Sequence, residues 1–373
     1  MSSPTLRELV VEDFKCFGQL SIPLASLSVL SGYNGAGKST ALQPILLLAQ
    51  AARRRTWSSD QDGGDLPLNG EIVRLGSAGD VIRAQSLDTT ARFELVGDNK
   101  ILALSATGKT GARSLSVTRR ADSDEWPELS EKLTRLVHLS AVRGGPAEAF
   151  PTPDRVAGQA PDVGADGRFA SYWYHELADV EIELKRRCPD EPGTTFRKQV
   201  DGWLSRLAPG ANANVQALPV ASMLALQFRL SETGEWRRPA NVGYGLTYSF
   251  PIIVALLAAR AGDIVVIDSP EAHLHPQAQS RMGRMLATFA ACGVQLFVET
   301  HSDHVLNGIR LAVRDGVLGA HELSVLFFAG NSKDGHRVAT PAIDREGRLD
   351  EWPEGFFDEH RKSAAQLARP TRA

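Results

Sequence analysis

Apolar positions recur along this chain in several rhythms, and the changes of rhythm mark its organisation. From Leu6 to Phe14 apolar and polar residues alternate as in a half-covered strand, and Leu20 to Leu24 is placed to pair with it antiparallel. Leu27-Ser28-Val29-Leu30-Ser31 is a more continuous apolar run, the pattern of a buried strand, and Thr40 to Gln50 beyond it is an apolar segment of helical length. Arg53-Arg54-Arg55 then reads as a solvated helix end. Between Ile72 and Arg120 the signals are short and strand-like, namely Ala91 to Val96, Ile101 to Ser105 and Ser114 to Thr118, with turns rich in Gly and Asp between them. They predict an antiparallel meander. Leu136 to Ser140 reads as a buried central strand, and Gly144-Gly145-Pro146 stops it.

The pattern changes again at Gly145. Pro151 to Gly167 is rich in Pro, Gly, Ala and Asp, whereas Ala170 to Arg187 and Thr195 to Leu207 carry helical periodicity, so residues 145–239 read as a mostly helical insertion. Apolar runs return as a helix over Tyr248 to Ala259 and as strands over Ile264 to Ile267 and Val294 to Val298. The whole is an α/β chain in four parts. Residues 1–144 and 240–330 read as two halves of one unit, 145–239 as inserted between them, and 331–373 as a small C-terminal segment.

Composition adds limits. A chain of 373 residues, 43% hydrophobic and 23% charged, can build a large core or two domains. A net charge of -3 gives no global attraction to nucleic acid or anionic lipid, so such a partner would need a local patch. Arg186 with Arg187 and Arg237 with Arg238 are the candidate contacts, solvated surface charge being the plainer reading. Cys16, Cys188 and Cys292 fit no disulfide framework and read as reduced thiols. Met1 to Thr5 carries no charged-then-apolar secretory pattern, so no leader is expected, and the longest apolar runs fall far below the roughly 18 residues that cross a bilayer. A soluble, cytoplasmic protein without a membrane partner is expected.

The chemistry begins between the buried strand and its helix. Gly32-Tyr33-Asn34-Gly35-Ala36-Gly37-Lys38-Ser39-Thr40 fits GxxxxGK[ST] at every required position. A polyphosphate needs several backbone N–H groups turned towards one centre, and glycine permits that path. Asn34 to Thr40 are therefore the candidate phosphate cradle, with Lys38 reaching the outer phosphates, Ser39 placed to ligate Mg²⁺, and the helix N-terminus adding its partial charge. Ile264 to Ile267 ends in Asp268, at the sheet edge where ligands sit in open α/β folds, so Asp268 is the candidate Mg²⁺ partner of Ser39. Val294 to Val298 leads to Glu299-Thr300-His301-Ser302-Asp303, which puts His301 on the same edge; Ser302 or Asp303 can cap the next helix. His273, His275 and His304 do not by spacing alone make a metal cluster with His301. Asn241 to Thr247 offers a second anion receptor at Gly243, Gly245 and Thr247 before an apolar helix. Two receptors in one chain are explained if two copies pack head to tail, each capping the triphosphate held by the other.

In this order the motifs resemble the ABC-type ATPase fold of the SMC, RecF and OLD-like AAA-type bacterial ATPases. Leu9 to Phe17 resembles their opening strand and Phe-Lys-x-Phe turn, Gly32 to Thr40 their Walker A loop, and Ile264 to Asp268 their Walker B strand. Ser269-Pro270-Glu271-Ala272-His273-Leu274-His275-Pro276 is similar to their PExHLHP segment, Thr300-His301-Ser302 to their switch histidine, and Val242 to Thr247 to their degenerate signature. Leu139 to Pro146 and the tail Trp352 to Asp358 look like elements of a subgroup ending in a small domain of unknown function. The resemblance implies a P-loop NTPase that binds and hydrolyses Mg-ATP as a homodimer or larger assembly, with a DNA-related or anti-phage defence partner. Glu271 would be the base, His301 the γ-phosphate sensor and Lys38 the phosphate clamp. One departure matters: the residue after the Walker B acid, a glutamate in the common pattern, is Ser269 here and cannot accept a proton from water at neutral pH. An ATP-gated clamp with negligible turnover is the alternative. The residues after Asp268 lack the clustered acids of a two-metal nuclease, so any cleavage is expected from a separate effector subunit, with DNA as a candidate ligand.

Overall fold

A computed structural model describes residues 5–86, 89–145, 147–154, 160–218, 222–332 and 335–368. Pro146, part of the Pro- and Gly-rich stretch (155–159) and the end of the 331–373 segment lie outside the described residues. The chain opens with a hairpin, β1 (Glu8–Phe14) and β2 (Phe17–Pro23), after which β3 (Leu27–Gly32) enters the phosphate loop and α1 (Lys38–Arg54) leaves it. Next come β4 (Gly63–Pro67), the short α2 (Ala78–Val81), β5 (Thr90–Val96), β6 (Ile101–Thr107), β7 (Ser114–Arg119), α3 (Pro127–Arg135) and β8 (Val137–Leu139). The inserted stretch holds β9 (Ala149–Pro151), α4 (Ala170–Glu176), α5 (Phe196–Leu207), β10 (Asn212–Leu218) and β11 (Met223–Arg229). Then follow α6 (Tyr244–Ala258), β12 (Ile264–Asp268), α7 (Pro276–Ala291), β13 (Gln295–Glu299), α8 (Asp303–Arg314), β14 (Leu323–Ser332), β15 (Gly335–Ala339) and α9 (Glu359–Leu367).

One sheet organises the molecule. Its order is β15-β14-β3-β13-β12-β8, parallel throughout except for β15. Successive side chains of a strand point to opposite faces, so each of these apolar runs feeds two cores. Val29, Val265, Ile267, Leu296 and Val298 pack with α6, α7 and α8 on one face. Leu30, Ile264, Val266, Phe297 and Leu326 pack with α1, α3 and the second sheet on the other. That second sheet is antiparallel, β2-β1-β5-β6-β7-β4, and contains the expected hairpin and meander. On the first face α7 and α8 cross almost backbone to backbone. A Cβ on Gly283 would overlap the carbonyl of Val305, and one on Gly308 the carbonyl of Ser280.

Three expectations are corrected. The 145–239 stretch is not mostly helical: besides α4, α5 and a 3-10 turn at Leu184–Arg186 it contains the antiparallel sheet β10-β11-β9. Buried Leu224, Leu226 and Phe228 alternate with half-covered neighbours, a period-two signal too short to stand out between helical segments. Its core is also continuous with the rest, since the rings of Tyr174 and Phe228 lie 5.6 and 5.8 Å from that of Phe250 on α6. Second, β8 is an edge strand rather than a central one, pairing with β12 at the end of the sheet. Third, Arg53 is not a solvated cap. Its guanidinium donates to the carbonyls of Thr134 and Leu136 and pairs with Asp162 at 2.6 Å, stitching α1 to the approach to β8.

Candidate functional site

Strand order decides which side chains meet. β13 lies between β3, which feeds the phosphate loop, and β12, and the register sets Glu299 beside Asp268 on one side and Leu30 on the other. The carboxyl tips of three strands therefore converge at the start of α1. Gly32, Gly35 and Gly37 have φ of 137°, 73° and 97°, backbone that side chains disfavour, and a Cβ on Gly32 would overlap the carbonyl of Phe328 on β14. No side chain caps α1, which leaves its first amides for a ligand anion.

Lys38 is buried, and its ammonium donates to the carbonyls of Gly32 (3.2 Å) and Tyr33 (2.9 Å) while standing 3.9 Å from the Glu299 carboxylate. Burial holds its pKa below the ordinary lysine range, with Glu299 and Asp268 acting against that. Ser39 is exposed and donates to Glu299. Glu299 is itself buried, and desolvation, followed by the charge of Asp268, pushes its pKa up to about 7. With Lys15, Cys16, Asn34, Gly35, Gly37, Thr40 and His301 these groups line a cleft of about 320 Å³. Ala36 is buried beneath it.

The remaining predicted residues follow the tips of β12 and β13 along the chain. Ser269 lies in the left-handed region with φ of 50°, and its hydroxyl donates to Asp268 Oδ1 at 2.8 Å. Glu271 accepts from Thr300 Oγ1 at 2.7 Å on one oxygen and from the His301 amide at 2.8 Å on the other, tying the β12 tip to the β13 tip. The His301 ring has its pKa lowered, chiefly by burial and then by Lys38. Ser302 is the N-cap of α8, its hydroxyl accepting from the Val305 amide at 3.1 Å. His273 packs its ring against Tyr244 and Tyr248, His275 caps α7 and His304 pairs with Asp303. Among the described residues no group of three or more His, Cys, Asp and Glu could hold a metal ion.

The second receptor stands apart from the first. Gly243 is the N-cap of α6 and is exposed, Gly245 abuts the His273 carbonyl, where a Cβ would come within 2.9 Å, and Thr247 is buried with its hydroxyl donating to the Tyr244 carbonyl at 2.9 Å. Their neighbourhood, a hollow lined by Arg143, Gly144, Gly145, Tyr244, Tyr248 and His273, shares no residue with the cleft at Lys38. Of the candidate nucleic-acid arginines, Arg186 and Arg187 are used internally, whereas Arg237 and Arg238 are exposed. Arg186 donates to the carbonyls of Leu256 and Leu257 and so caps α6, Arg187 donates to the Ile182 carbonyl, and Arg238 pairs with Glu148.

Two residues escaped the sequence reading. Glu299 obeys the rule that singled out Asp268, an acid ending a buried strand, but was read only as part of the approach to His301. Arg143 is buried beneath the β12 tip, where its guanidinium donates to the carbonyls of Asp268 and Ser269 and lies over the Tyr248 ring. Desolvation lowers its pKa to about 10. A lone arginine in a glycine-rich loop gave no signal of that contact.

A phosphate loop, an acid at the tip of a nearby parallel strand and a histidine beyond the strand between them define a nucleotide-binding domain of the ATPase type. The fold is that of SMC heads. A crystal structure of an Smc head bound to the C-winged helix domain of ScpA matches with a TM-score of 0.51 at 14% identity, over 92% of this chain and 99% of that one. An Smc head with an extended coiled coil, bound to the C-terminal domain of ScpA derived from Pyrococcus furiosus, also matches at 0.51, with 13% identity over 98% and 100%. The chain belongs to the family described as "AAA domain, putative AbiEii toxin, Type IV TA system", which matches residues 27–307. Residues 320–367 match a second family, "Protein of unknown function (DUF3696)". Among curated proteins no match is found. Among the described residues no helix is long and apolar enough to cross a membrane.

Proposed function

We propose that the protein binds and hydrolyses Mg-ATP and that binding drives head-to-tail dimerisation, which in turn acts on a DNA-related or anti-phage defence partner. The observation that carries this reading is the convergence of Lys38, Ser39, Glu299 and His301 on one cleft, with Asp268 beside Glu299 in the sheet register, while the α6 N-terminus, with exposed Gly243, stands outside it. The donor set suits magnesium: hard oxygens from Ser39, Asp268 and Glu299, too few to hold the ion alone, leave it to be completed by phosphate oxygens and water. Bound magnesium would neutralise charge on the transferred phosphoryl group. The chain's own part is positioning, with Lys38 and the loop amides on the phosphates, His301 near the γ-phosphate and Glu271 holding the switch segment. That two similar heads are known bound to ScpA domains supports looking for a protein effector, a nuclease subunit among the candidates. Light scattering of the purified protein with and without Mg-ATP tests dimerisation, and phosphate release from wild type against Lys38→Ala tests turnover. A monomer at saturating Mg-ATP would overturn the dimer, and undiminished release by the variant would overturn the site.

Ser269 favours a second reading, an ATP-gated clamp of negligible turnover. Its hydroxyl is engaged with Asp268 and offers no base. Dimerisation on ATP without phosphate release over hours would select it.

A further inference from the structure

The tail segment Trp352 to Asp358 has no part in the reading above, yet it folds back onto the root of the phosphate loop. Phe356 is fully buried, with its ring 5.1 Å from Phe327, 5.0 Å from Trp352 and 4.9 Å from Phe357. Phe327, on β14, meets in turn the ring of Tyr33 at 5.9 Å. Gly355 lies directly against the Tyr33 hydroxyl: its φ is 82°, and a Cβ there would overlap the phenol oxygen. The segment is fixed from its own side as well. The Gly355 amide donates to Asp358 at 3.1 Å, Asp358 pairs with Lys362 at 2.8 Å, and the Arg310 guanidinium lies over Trp352, joining the tail to the helix that follows His301.

Tyr33 is a sensitive place to touch. Its amide donates to Phe328 at 3.1 Å and its carbonyl accepts from the Lys38 ammonium, so displacing its ring moves the peptide that holds the phosphate lysine. Half of the Tyr33 surface is exposed, and the tail is what borders the hydroxyl end of its ring. A loop already held in its binding conformation loses less freedom when the ligand arrives.

We propose that the Trp352–Asp358 segment is a positioning element of the nucleotide site, bracing Tyr33 through Gly355 and so keeping the phosphate loop in its binding conformation. The inference rests on the reading of Gly32 to Thr40 as a triphosphate site. Because coupling between two sites is reciprocal, nucleotide must also steady the tail.

The test uses the full chain and a fluorescent ATP analogue. Gly355→Ala should raise its Kd about tenfold by loosening a preorganised loop. Gly355→Asn should do the same, although asparagine tolerates positive φ, because the obstacle is the Cβ. Tyr33→Ala should weaken binding comparably, and combining it with Gly355→Ala should add nothing further. Amide exchange at 352–358 should slow when the analogue is added, a response that a purely structural tail would not give. Unchanged affinity in both Gly355 variants, singles whose effects multiply, or exchange indifferent to nucleotide would each overturn the brace. Circular dichroism and the thermal midpoint verify that the variants fold. If the wild type itself binds no nucleotide, the triphosphate reading fails instead.

Discussion

Replacing Glu299 by glutamine should make the nucleotide-free protein more stable, and only above mildly acidic pH. The carboxyl titrates at about 7 in the fold against 4.5 for a free glutamate, because burial and then the charge of Asp268 disfavour its ionised form. Between those values the native state keeps a proton that the unfolded chain has released, so stability falls as pH rises through the window. Each pH unit corresponds to about 1.4 kcal/mol, which puts the full penalty of the charged form near 3 kcal/mol above neutrality. With unfolding entropy scaling with the 373 residues of the chain, that converts to about 4 °C in thermal midpoint. Glutamine has the same shape and no charge. In EDTA, calorimetric midpoints of Glu299→Gln and wild type should agree near pH 4.5, part progressively to pH 7 and then run parallel, the variant higher. Saturating Mg-ATP should shrink or reverse the gap, since a cation favours the ionised carboxylate that the variant lacks. A gap independent of pH, or a variant less stable at pH 8 in EDTA, would refute the account of Glu299 as a buried carboxylate held in waiting for a cation.

Lys38→Ala should abolish measurable binding of a fluorescent ATP analogue while leaving the thermal midpoint in EDTA no lower, since it removes a buried ammonium whose protonation is already disfavoured. Arg143→Ala leaves the carbonyls of Asp268 and Ser269 without that donor, which should cost about 1–3 kcal/mol in chemical denaturation and raise the Mg²⁺ concentration needed for half-maximal nucleotide binding. Gly283→Ala forces α7 and α8 apart against the Val305 carbonyl, and a loss near 3 kcal/mol is expected from overpacking, read as a lower denaturant midpoint with nucleotide affinity retained at low temperature.

How much of this was legible depends on the range of the interaction. The phosphate loop could be read because the residues that shape it lie within one short segment, Gly32 to Thr40. The parallel strands could be read because burial on both faces leaves a continuous apolar run, as in Ile264 to Ile267. Strand order is not written locally, and so β8 was expected in the centre of the sheet and is at its edge. The same gap hid Glu299, whose importance depends on β13 lying between β3 and β12. Arg53, Arg143 and Arg186 were opaque for a related reason: each ends on a backbone carbonyl far away in sequence, and any residue can supply one. In the inserted stretch, β10 and β11 gave alternation over only seven residues each, little to set against the neighbouring helical signals.

The missing glutamate at Ser269 can be weighed against the two acids that remain. Glu271 has both oxygens engaged, by the Thr300 hydroxyl and the His301 amide, and releasing them would untie the switch segment from β12. Glu299, its pKa pushed up to about 7 by burial and then by the charge of Asp268, lines the cleft beside Lys38 and Ser39, the groups proposed to hold phosphate and cation. On the proposed function a chain so equipped binds Mg-ATP better than it cleaves it, and slow turnover is the expectation under either functional reading. Comparing phosphate release in Glu271→Gln and Glu299→Gln separates the roles. If Glu271 is the working base, its variant should retain ATP-induced dimerisation with turnover reduced about a hundredfold, within the usual span for lost acid–base catalysis. Equal turnover in the Glu271 variant and the wild type would leave Glu271 as a structural tie and turn the argument towards the clamp.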